Sequence, residues 1–239
     1  MKSRALGLLM TSGLLISSVL TAEPLTDLRT RLAALRNSQP IRLQVEIEAE
    51  HSESSPLHRS GAKLTGRATV VYGPKGVKVS GQRWSGSSSS SSWLGAGGKP
   101  GGAELPPFDD GEASFLVDPA TVLYYLLWDA ALLSDKPATW QGKPARLLVF
   151  VPTSVGEKAA SAGALWRFTG EVQMWLGDNG LPLAMQHTMR PNVEPPLPVK
   201  RDQLFVFQEI EGRLLAARTE DTFSGAAWDT KTVKASIAR

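Results

Sequence analysis

The residue types that could do chemistry are few in this chain, and their spacing serves chemistry poorly. It has three histidines. His51 and His58 lie in or near a Ser/Glu-rich stretch, and with Glu53 they could form only a loose metal cluster, at a spacing that fits no known ligand pattern. His187 falls on the strand face that carries Leu183, Met185 and Met189. A lone imidazole on an apolar face reads as a hydrogen-bonded core residue rather than a general base. Ser60-Gly61-Ala62-Lys63 has the spacing by which a lysine activates a serine, but it enters a strand, not a helix, and no companion motif accompanies it. Asp109-Asp110-Gly111-Glu112 reads as a solvated turn, not a catalytic carboxylate pair. No nucleophile elbow, phosphate-binding loop or dinucleotide fingerprint occurs. With no cysteine, thiol catalysis, thiolate metal sites, disulfides and an N-terminal lipid anchor on sulfur are excluded. The residues therefore imply a protein that is not an enzyme and holds no cofactor or metal.

The distinctive side chains are apolar. Val172, Met174 and Leu176 share one strand face, and Leu183, Met185 and Met189 share the next. The opening strand adds Leu43, Val45 and Ile47, and an aromatic helix adds Tyr125 and Trp128. Flexible methionines and large aromatics line adaptable apolar pockets, and they also fill ordinary cores. On residue type alone both readings stay open.

The elements that must position these residues follow from periodicity. Met1-Lys2-Ser3-Arg4, the apolar run Ala5–Leu20 and the small end Thr21-Ala22 read as a secretory signal peptide, residues 1–22, cleaved near Ala22. The run is short for a membrane span, so no integral span is expected after processing. Leu25, Leu28, Leu32 and Leu35 recur at helical steps and predict a helix over about 25–37, stopped before Pro40. Residues 41–50 alternate without fault and predict a half-buried strand, followed by a polar loop over 51–62. Two strands then flank Gly73-Pro74-Lys75-Gly76. Residues 85–104, rich in Ser and Gly, read as a mobile loop with Trp84 and Trp93 as docking points. Asp118 caps a helix with Pro119 at its first position, expected to run to about Leu133. Strands then flank Gln141-Gly142, Gly177-Asp178-Asn179-Gly180 and Glu211-Gly212, and a last strand follows at 231–237. Short turns force antiparallel neighbours.

With 42% apolar residues and a net charge of +3, a globular fold is expected and a nucleic-acid partner is not. Removing Lys2 and Arg4 with the leader brings the charge still nearer neutral.

The order of these elements resembles the periplasmic lipoprotein carriers of the LolA type. Their relatives are also similar, including the LppX-type lipid-binding proteins and the N-terminal domain of the sigma-E regulator RseB. Three stretches carry the resemblance: Asp27–Leu32 with the strand from Ile41, Trp140–Leu147 with Val151-Pro152, and Met174–Gly177 through Gly180–Leu183. It implies an α+β fold. About nine antiparallel strands would form an unclosed barrel, with an N-terminal helix and a central apolar helix packed on its concave face. It also implies a single domain over 23–239, periplasmic or secreted, with an apolar groove for a lipid or lipid-modified protein. The alternative is an envelope regulator or scaffold that binds protein partners, its groove filled as core. Where the carriers have Arg-Pro after the second strand to latch the lid, this chain has Tyr72-Gly73-Pro74-Lys75. The resemblance thus extends to apolar-ligand binding rather than to lipoprotein hand-over.

Overall fold

The computed structural model describes residues 23–36, 39–54, 59–88, 94–95, 99–100, 108, 110–152, 168–191, 199–224 and 229–238. The chain opens with α1 (Glu23–Leu35), whose Leu25, Leu28 and Leu32 are buried at the predicted helical spacing. The strands that follow are β1 (Ile41–Ser54), β2 (Arg59–Gly73) and β3 (Gly76–Ser88), then the two-residue pair β4 (Leu94–Gly95) and β5 (Lys99–Pro100). Next come α2 (Asp110–Val117) and α3 (Pro119–Leu126). The second half is a meander: β6 (Ala130–Trp140), β7 (Lys143–Pro152), β8 (Phe168–Leu176), β9 (Pro182–Pro191), β10 (Lys200–Ile210), β11 (Arg213–Ser224) and β12 (Asp229–Ile237).

Ten strands form one sheet in the order β3-β2-β1-β12-β11-β10-β9-β8-β7-β6. All its pairings are antiparallel. The last strand returns to pair with the first, Ile47 opposite Ala235, so the two ends of the chain meet mid-sheet. β3 and β6 remain as edges, which makes this an unclosed barrel. Two-residue turns with positive φ at both positions, Gln141-Gly142 and Glu211-Gly212, match the twist of their flanking strands.

Four expectations are corrected. The polar stretch 51–62 is not a loop throughout: β1 continues to Ser54, paired opposite Arg59. A ladder between neighbouring strands satisfies backbone groups whatever the side chains, so an apolar alternation is not required. For the same reason Ser85–Ser88, expected as the start of the loop, extend β3, with Ala62 opposite Ser88. Trp93 lies outside the described residues. The helix expected from Asp118 does begin there, as α3, but it ends at Leu126, and Asp110-Gly111-Glu112, expected as a solvated turn, open a separate helix, α2, ahead of it. The residue before a proline is driven out of the helical region, and Asp118 takes φ −144° and ψ 53°. The apolar run after it then changes type. Ala130–Leu133 open a tenth main strand, with Leu132 opposite Phe150, because a short apolar run suits either element and pairing decides.

Candidate functional site

One continuous row of cross-strand partners shows how the concave face is made. Leu148, Met174, Met185, Phe205, Thr219, Ala235, Ile47, Gly66 and Trp84 are successive neighbours from β7 to β3. Gly66 leaves room for the indole of Trp84, since a Cβ there would come within 2.6 Å of its ring. The helices cover this row. Phe115 of α2 stacks on Phe205 with ring centroids 4.4 Å apart. Leu28, Leu32, Leu116, Val117 and Leu123 join the strand residues in a single core cluster.

The sequence-derived site residues divide into three groups. Val45, Ile47, Val172, Met174, Leu176 and Met185 are all buried in that cluster, Met174 at 0% exposure, and Leu43 packs half-buried against it. They do lie on one face, but the protein's own helices close it. Met189 is buried at the margin of the face, outside the cluster. Leu183 is half-buried and has no strand partner, because the β8–β9 register shifts beside it. Tyr125 and Trp128 are corrected outright: at 58% and 55% exposure they face solvent, not the groove. Tyr125 lies on the side of α3 opposite Leu123 and Ala120, which take the buried face.

The next row of partners contains what sequence reading missed. Val172 of β8 is opposite His187 of β9, His187 opposite Gln203 of β10, and Gln203 opposite Asp221 of β11. One step further along β10, Arg201 pairs with Asp221 through both its Nε and its Nη2. Gln203 Nε2 also donates to Asp221 at 3.2 Å. The concave face is therefore amphipathic, apolar beneath α2 and polar beyond Phe205. Burial, helped by the nearby Arg201 charge, lowers the His187 pKa to about 4, so the ring is neutral near pH 7. The signal was periodicity on β10: Arg201 and Gln203 share the parity of the core residues Phe205 and Phe207.

A polar hub holds the helices down. The Tyr72 hydroxyl donates to Asp118 Oδ2 at 3.1 Å, while Asp118 Oδ1 accepts the Thr121 N–H at 3.3 Å as the α3 cap. Burial raises the Tyr72 pKa, and the Asp118 carboxylate adds to the effect. Arg36 Nε donates to Thr121 Oγ1 at 3.2 Å. The buried Arg213 guanidinium lies 5.6 Å from the centre of the Tyr72 ring and donates to the Gln39 carbonyl at 2.6 Å. Gln82 donates to the Phe108 carbonyl at 3.0 Å, tying the approach to α2 onto β3. Tyr72, the last residue before Gly73 at the end of β2, thus ties the junction of α2 and α3 to the sheet.

Other candidates do not assemble. Ser60 and Lys63 lie within one strand, β2, and not at a helix start. His58 and Asp109 lie outside the described residues. Among the described residues no group of three or more His, Asp or Glu could hold a metal, and no helix is long and apolar enough to cross a membrane. A cleft of about 580 Å³ between α1 and the β6–β7 edge has a mixed lining, apolar at Leu28 and Leu176 and charged at Asp27, Arg31, Asp135 and Arg146. In it Arg146 clasps Asp135 and holds that carboxyl below its usual range.

No family model matches the sequence, and no curated protein matches it. Solved structures do. A putative outer membrane lipoprotein-sorting protein domain from Vibrio parahaemolyticus is 11% identical with a TM-score of 0.37, covering 92% of each chain. A LolA superfamily protein from Nitrosomonas europaea is 10% identical with a TM-score of 0.36, over 88% of this chain and 90% of that one. A DUF1329 family protein from Desulfovibrio piger is 11% identical with a TM-score of 0.35, over 90% and 91%. The superfamily that the Asp27, Trp140 and Met174 stretches resemble is thus named among these neighbours, in the protein from Nitrosomonas europaea. At these scores the functional argument rests on this chain's own geometry.

Proposed function

We propose that this is an exported, non-enzymatic protein of the periplasm or extracellular space, binding a lipid or acylated ligand against the concave apolar face. The helix pair α2–α3 is its movable cover. One observation carries the reading. An unclosed sheet presents a row that is apolar at most of its positions, and two helices of eight residues, too short to be stable alone, lie over it. An acyl chain sliding between sheet and helices leaves both apolar surfaces covered. Lifting the helices into water would instead expose Leu116, Val117 and Leu123, at about 1.5–3 kcal/mol each. Ten methylenes buried in that sandwich contribute roughly 8 kcal/mol before ordering and association losses. The polar row of His187, Gln203 and Asp221 receives the ligand's polar end.

A second reading has its own support. Full burial of Met174 and its neighbours suits a scaffold whose concave face is permanent core and whose surface binds envelope proteins. Native mass spectrometry of protein purified from its own cell envelope separates the two, with titration of a fluorescent fatty acid or acylated peptide beside it. A co-purifying lipid and saturable binding are expected. Absence of both, with α2 and α3 amides exchanging only on global unfolding, would overturn the carrier reading and leave the scaffold. Sequencing the exported chain should begin at or near Glu23; an intact Met1 would end the export reading.

A further inference from the structure

The three most exposed large apolar side chains among the described residues, Tyr125, Trp128 and Leu133, come from the short stretch that ends α3 and opens β6. They are not scattered. Tyr124 touches Tyr125 and Trp128, with ring centroids 5.4 and 5.8 Å apart. Over these rings lie two arginines, Arg29 of α1 and Arg36, the residue that follows the helix. Arg29 lies 4.9 Å from the Trp128 centroid, and Arg36 lies 5.0 and 5.5 Å from those of Tyr124 and Tyr125. Solvent-facing aromatics in such a cluster need an occupant that is apolar at ring depth and anionic at guanidinium depth.

We propose that this Tyr–Trp–Arg patch docks the protein on an anionic lipid surface. Trp and Tyr favour the headgroup zone of a bilayer because one end of the ring system is apolar and the other wet. Arginines at the same depth meet the lipid phosphates, and each basic group near an anionic surface strengthens binding severalfold. Nearby acids do not cancel the design. Asp27, on the same helix, interacts with Arg146 at the other flank. Asp129 follows Trp128 and lowers the net charge of the patch, so ring insertion and phosphate contact must act together. The patch adjoins the outer side of α3. Docking therefore brings the proposed cover against the membrane, but it does not require a ligand beneath that cover.

The test is co-sedimentation of the full exported chain with phosphatidylglycerol-containing vesicles and with pure phosphatidylcholine vesicles. The wild type should bind the anionic vesicles and release them as salt is raised. Tyr125→Ser with Trp128→Ser should weaken binding about tenfold or more, and separately Arg29→Gln should weaken it about fivefold. Lys75→Gln, at the exposed β2–β3 turn, should not. Arg36→Gln is left out of the decisive set because Arg36 also bonds Thr121. Thermal midpoints matching the wild type confirm that the variants are folded. The proposal is overturned if the wild type stays in the supernatant, or if both patch variants sediment as it does. It is equally overturned if soluble polyglutamate binds as tightly as the vesicles with the same arginine dependence, since the occupant is then an acidic protein. Fatty-acid titration without vesicles reads the concave face alone, so the two proposals fail separately.

Discussion

Replacing Tyr72 by Phe removes one hydroxyl and leaves the ring beneath Arg213 in place. The lost contact is the 3.1 Å hydrogen bond to Asp118, the residue that joins α2 to α3. A hydrogen bond to a charged group contributes about 1.5–3 kcal/mol, and partial exposure at this site reduces that to roughly 1–2 kcal/mol. Asp118 keeps its cap on Thr121, so α3 stays helical and the loss falls on the attachment of the cover to the sheet. If the cover moves as a unit, its opening constant rises by about 5–30-fold. Hydrogen exchange at the amides of α3 should quicken by that factor while the meander strands β7–β11 change much less. If ligand entry needs the open form, apparent affinity for a fluorescent fatty acid rises by up to the same factor. The linked titration runs one way. The folded pKa of Tyr72 is raised above 10.0, so its stabilisation is complete below that pH and is lost as pH climbs through the folded value. Tyr72→Phe should remove that alkaline loss. Unchanged α3 exchange, or weaker fatty-acid binding in the variant, refutes the idea of a latched, movable cover.

Three further outcomes test the interior. Met174→Asp places a carboxylate at a fully buried position and should unfold the protein, whereas Met174→Ala should cost about 2–5 kcal/mol in a urea titration; a folded, stable Asp variant would show that the site is open to water. His187, depressed from 6.5 to about 4, is bound neutral, so the unfolded chain takes up protons first and stability falls as pH drops between those values. His187→Gln should flatten this part of the stability–pH curve, and a curve of unchanged slope would remove the histidine from the account. Gly170→Ala sets a Cβ 1.9 Å from the Thr188 carbonyl oxygen, a backbone atom that cannot turn aside; a loss of roughly 2 kcal/mol or more in thermal or urea denaturation is expected, and a wild-type midpoint would mean that β8 and β9 are not in this register.

Local signals in the sequence determined the elements whose reasons are local. The leucines of α1 and the alternation from Ile41 to Glu50 declare a face without help from the rest of the chain. Gly180 and Gly212 sit where the backbone turns left-handed, at φ +72° and +71°, and mark hairpins wherever they are placed. The candidate residues from Leu43 to Ile47 and from Val172 to Met185 were legible as one apolar face for the same reason, a strand's fixed period of two.

Whether that face is groove or core was decided elsewhere. The packing of helix residues such as Leu28, Leu32, Leu116, Val117 and Leu123 closes it, and those residues come from helices that precede β7–β12 in the chain. The exposure of Tyr125 and Trp128 has the same origin: α3 has one face to bury, and Leu123 and Ala120 took it. Ala130–Leu133 became strand because β7 offered a partner, an event that no window around residue 130 contains. The polar row is the clearest case. His187, Gln203, Arg201 and Asp221 belong to three different strands, and although His187 stands out on its apolar face, nothing in its own stretch names its polar neighbours. Register alone sets them side by side, because hydrogen-bonded pairing converts distance along the chain into contact across the sheet.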